Sequence, residues 1–166
     1  MKRTLFFVFV MASLLAACAA PTPVAEGPTD LEHARQTLID FFSLLHNGEY
    51  GEAVERFADD ADIQFYETAR RNNVDVDPTN EAALMEAACT YQLRCMEILN
   101  VVSGEQVSET EFVFVVEFAN PEGTLFVLGP CCGSDETEMP PVSQFEYRVE
   151  KVGSEFLVHG SPVYIP

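Results

Sequence analysis

The sequence predicts an α+β fold, with N-terminal helices packed on one face of a curved antiparallel sheet. Apolar residues recur every three or four positions through the first half, and from Cys95 onward that period becomes two. Helices first and a meander of strands afterwards is the α+β arrangement. The stretch from Thr29 to Pro166 has the length of one domain, and a chain that is 48% hydrophobic can bury a core within it.

Thr29-Asp-Leu-Glu32 has the form of a capping box and predicts a helix start. Leu31, Ala34, Leu38, Phe41, Phe42 and Leu45 then form one stripe, and Asn47-Gly48 ends the helix because both residues tolerate the left-handed cap. A second helix is expected over Tyr50 to Phe57. Ala61 to Tyr66 reads as a helix or mixed segment, and Pro78 to Cys89 as a third main helix. Met96 to Val107 is expected to be a long strand. Phe112, Phe114, Val116 and Phe118 alternate with Val113, Val115 and Glu117, which gives a mid-sheet strand with both faces partly apolar. Asn120-Pro-Glu-Gly123 is a turn signal expected to lead into a hairpin strand over Thr124 to Leu128. Phe145, Tyr147 and Val149 alternate with polar residues in a strand with one wet face. Lys151 to Ser154 turns that strand into Glu155 to His159.

Residues 1–17 have a basic start, an apolar run and then small residues, the pattern of a secretory leader. The apolar part, Leu5 to Ala17, is shorter than the ~20 residues that a spanning helix needs. Residues 18–28, rich in proline and small side chains, read as a tether, and residues 29–166 as the domain. The formal charge of −18 becomes about −20 once Lys2 and Arg3 leave with the leader, which argues against nucleic acid as a partner.

Two resemblances follow from particular residues. Leu15-Ala16-Ala17-Cys18 resembles the lipobox of bacterial lipoproteins. That implies lipidation of Cys18, anchoring to the cell membrane or outer membrane, and an extracytoplasmic location in the cell envelope. Ala34-x3-Leu38-x2-Phe41, followed by Asn47-Gly48-Glu49-Tyr50-x2-Ala53-x3-Phe57, resembles the opening of the nuclear transport factor-like superfamily, a cystatin-like α+β cone. The likeness implies helices over a bent sheet whose concave face can hold a small apolar ligand. Isomerases, dehydratases and polyketide cyclases on that cone use an acid, histidine or tyrosine in such a pocket.

Outside the cytoplasm, an even set of cysteines favours disulfides. Cys89, Cys95, Cys131 and Cys132 permit three pairings, and bridges from the first two to the last two would pin the long loop around residue 131. Paired C-x2-C zinc knuckles are missing, and a redox centre would more naturally take the C-x-x-C form, so no metal and no cofactor are expected. Phe112, Phe114, Phe118, Tyr66, Tyr91 and His159 are the candidates for lining a pocket, with Glu117 as a further acid. None falls in a catalytic motif. Glu117 and Arg148 are read as cross-strand partners, and His46 as a group at a helix C-terminus. The expected function is that of a non-enzymatic envelope lipoprotein binding a small apolar ligand or another envelope protein. A homodimer and an acid–base enzyme are the alternatives.

Overall fold

The computed structural model describes residues 28–58 and 61–164. The leader, the tether up to residue 27 and Cys18 lie outside them. Helix α1, Asp30–Asn47, begins at the predicted capping box. The Glu32 backbone N–H donates to Thr29 Oγ1 at 3.3 Å, and the Thr29 N–H donates to Glu32 Oε2 at 2.7 Å. Gly48, at φ 78°, closes the helix in the left-handed conformation. The stripe Ala34, Leu38, Phe41, Phe42 and Leu45 is fully buried.

Helix α2 is Tyr50–Val54, shorter than expected. The chain leaves it because residues 56–58 pair with a strand instead. Ala58 N–H donates to Val158 O at 3.0 Å and Val158 N–H to Arg56 O at 2.7 Å, around a parallel bridge between Phe57 and Val158. Helix α3, Ala61–Arg71, resolves the ambiguous segment as helix. Helix α4, Glu81–Tyr91, starts later than Pro78 because Asn80 is its cap, its side chain accepting from Ala83 N–H at 3.1 Å.

Strand β1, Leu93–Arg94, pairs with β6, Val163–Tyr164, in a small ribbon. The main sheet runs β2 (Ile98–Gln106), β3 (Glu111–Phe118), β4 (Phe145–Val152) and β5 (Glu155–His159) in chain order, every neighbouring pair antiparallel. The mid-sheet position expected for β3 is found. The strand expected over Thr124–Leu128 does not form. The Asn120–Gly123 turn closes, but the chain beyond it makes only isolated bridges, Ala119 with Leu125 and Leu128 with Val142. Leu128 closes the base of the cysteine loop rather than extending a hairpin.

The inner sheet face carries Phe112, Phe114, Val116, Phe118, Tyr147, Val149 and Val158, all buried against α1. Phe42 packs edge-on against Phe118 at 4.9 Å and Tyr147 at 4.8 Å between ring centroids. Burying each such aromatic contributes about 1.5–3 kcal/mol, so this layer dominates the core. Lys151 Nζ lies 2.6 Å from Asp30 Oδ2 and ties β4 to the start of α1.

The expected disulfide pairing is corrected by the positions of the sulfurs. Cys89 is bonded to Cys95, joining α4 to the chain just past β1 across only six positions. Cys131 and Cys132 are therefore not bridged to them, and both are free thiols. The bridge staples a local bend and leaves the long loop untied to it.

Candidate functional site

The two faces of β3 divide the sheet. The inner face is filled, since Phe112, Phe114 and Phe118 are at most 1% exposed and sit against α1. These three were candidates for lining a cavity; they belong to the core beneath the helix. Tyr66 is half-buried beside the core, and Tyr91 is 53% exposed on a cleft of about 310 Å³ with Thr90, Gln92 and Arg94. His159 lies on the opposite face of the sheet, its Nε2 2.9 Å from Glu150 Oε2. The six candidates are thus spread over the molecule and share no pocket. His46 sits in the last turn of α1, as expected.

The outer face is built from the alternate residues of the same strands, because successive side chains of a strand point to opposite sides. In register, Glu105 and Ser103 of β2 stand opposite Val113 and Val115 of β3, which in turn stand opposite Arg148 and Glu146 of β4. Ser103, Gly104, Glu105, Val113, Val115 and Glu146 line a shallow depression of about 230 Å³. Its floor is the two half-buried valines and its walls carry exposed carboxylates from both neighbouring strands.

Charge on this face is one-sided. Arg148 is engaged by Glu111, Nη1 to Oε1 at 3.2 Å, and not by Glu117, the cross-strand partner expected from the sequence; the register sets Arg148 opposite Val113. Glu117 accepts instead from Asn100 Nδ2 at 3.4 Å and Gln144 Nε2 at 3.3 Å. Among the described residues, Glu105 and Glu146 have no ion-pair partner. Two uncompensated carboxylates over an apolar floor fit a cationic group with an alkyl stem. No group of three or more His, Cys, Asp or Glu among the described residues could hold a metal ion.

No protein-family model, curated protein or solved structure matches this chain. The site therefore stands on its own geometry. Sequence reading passed over Glu105, Glu146, Val113 and Val115, although β3 carried a signal for them. A strand apolar on both faces buries one face in the core and offers the other to something else.

Proposed function

We propose that this chain is a cell-envelope lipoprotein held to a membrane by lipid on Cys18, whose cone-type domain acts as a non-enzymatic protein-interaction module. The observation that carries the interaction reading is the outer-face depression, with Glu105 and Glu146 above Val113 and Val115 and without an ion pair among the described residues. Its partner is a protein presenting lysine or arginine, the alkyl stem lying on the valines and the charged head between the carboxylates.

The helix order and the four-stranded antiparallel meander support placing the domain with the nuclear transport factor-like cones. The lipid anchor rests on the Leu15 to Cys18 stretch. Among the described residues no helix is long and apolar enough to cross a membrane. A small apolar ligand on the inner face finds its place taken by Phe112, Phe114 and Phe118. A homodimer through the outer face would set Glu105, Glu111, Glu117, Glu146 and Glu150 against their own copies, and like charges across an interface are costly. The isomerase, dehydratase or cyclase alternative draws no support from this arrangement.

Calorimetric titration of the domain with a decalysine peptide tests the charge complementarity. Glu105→Gln/Glu146→Gln is expected to weaken binding roughly tenfold at physiological salt. A control with the same charge change on remote loops, Glu122→Gln/Glu136→Gln, is expected to change it little. Equal losses in the two double variants would mean that the peptide reads net charge and not this face.

A further inference from the structure

The cysteine pair at residues 131 and 132 belongs neither to the outer face nor to the disulfide between α4 and β1. Cys89 and Cys95 have each other, so among the described residues the pair can find a mate only within itself. The two Sγ atoms lie 2.7 Å apart, against a bond of ~2.05 Å in a disulfide. Adjacent side chains on extended backbone point to opposite sides. Here Cys132 takes φ 61°, a left-handed conformation uncommon for a residue with a Cβ, and this turns its sulfur back onto that of Cys131.

The surrounding loop holds that shape. Leu128 and Val142 exchange backbone hydrogen bonds of 2.8 and 2.9 Å at its base. Ser134 N–H donates to Cys131 O at 3.0 Å, and Gly133 at φ 92° completes the turn around the pair. Met139 folds back so that its Sδ accepts from Cys131 N–H at 3.4 Å.

We propose that Cys131 and Cys132 form a redox-active dithiol that closes reversibly to a vicinal disulfide by exchange with a disulfide-bearing thiol compound or protein. Exposed Cys132 loses its proton and attacks one sulfur of the external disulfide. The first external thiolate leaves and takes up that proton, and Cys132 becomes a mixed disulfide. Half-buried Cys131 then attacks Cys132 Sγ, and its proton goes to the second departing thiolate. Two protein thiols are oxidised to one disulfide, and one external disulfide is reduced to two thiols. Cys132 is the exposed member of the pair and meets the external disulfide first, while the hydrogen bond to Cys132, with burial, pushes the Cys131 thiol up. The closed ring spans a single peptide unit at an exposed loop, so it opens under milder reduction than Cys89–Cys95.

The purified full chain, equilibrated in graded mixtures of reduced and oxidised glutathione and quenched by alkylation, tests this through the mass of the peptide holding both cysteines. The expected result is a single passage from doubly alkylated peptide to an unalkylated form two hydrogens lighter than the free dithiol peptide, with Cys89–Cys95 closed throughout. Cys131→Ser is expected to trap glutathione on Cys132. A pair that stays fully alkylatable in oxidised glutathione would overturn the proposal. So would bridging only between two chains, or exchange of either sulfur with Cys89 or Cys95.

Discussion

At Gly104 the constraint is distance. A Cβ built there would come within 2.5 Å of Phe114 Cδ1, and Phe114 is 1% exposed, so the ring has nowhere to swing. Gly104→Ala is expected to destabilise the domain by about 1–3 kcal/mol, read as a lower denaturant midpoint at unchanged slope. Nothing in the sequence marks this glycine, because its partner is set by the β2–β3 register and not by neighbours in the chain. Tyr147 is a second such residue. Its strand position was legible from alternation, but its burial and the 3.3 Å hydrogen bond from its hydroxyl to Ser161 O were not. Burial pushes the Tyr147 phenol well above its ordinary value. Raised in the folded state, it contributes stability that is intact below the unfolded-state value of ~10 and lost as pH climbs beyond it. Tyr147→Phe is expected to be less stable than the parent near neutrality by about 0.5–1.5 kcal/mol. That gap should shrink in thermal melts between about pH 9 and 11; a constant gap would place the hydroxyl in solvent.

Elements were legible where a local signal spoke for itself. Thr29 and Glu32 announce α1, Gly48 ends it, and the period-two runs mark β3, β4 and β5. Thr29→Ala is expected to cost about 1 kcal/mol by removing the cap, measured by chemical denaturation. Elements were missed where a distant strand competes. Val158 takes the backbone of residues 56–58 from α2, and Val142 takes Leu128 from the expected hairpin. The cysteine pairing stayed open for a related reason: spacing permits several partners, and only the bend after α4 brings Cys89 to Cys95. Because that bridge closes a short loop, Cys89→Ser/Cys95→Ser is expected to cost only about 2 kcal/mol.

At the scale of the whole molecule, the sheet has one face that feeds the core and one that does not. The sequence showed that β3 is apolar on both sides, yet the pairing of Glu105 and Glu146 around Val113 and Val115 depends on three strands at once. A formal charge of −18 gave no hint of where uncompensated carboxylates gather. The proposed anchor belongs to this scale too. Cys18→Ser is expected to move the protein from the membrane fraction to the soluble fraction, or to leave it unprocessed; unchanged membrane retention would contradict lipidation. The most direct test of the docking face is a photo-crosslinking side chain placed at Ser103, in the depression, with Arg71 as a control position. Irradiation of intact cells is expected to give a heterologous adduct from position 103 alone, its peptide rich in lysine or arginine, and reduced by Glu105→Gln/Glu146→Gln. An adduct only with a second copy of the chain, or the same adducts from both positions, would contradict it.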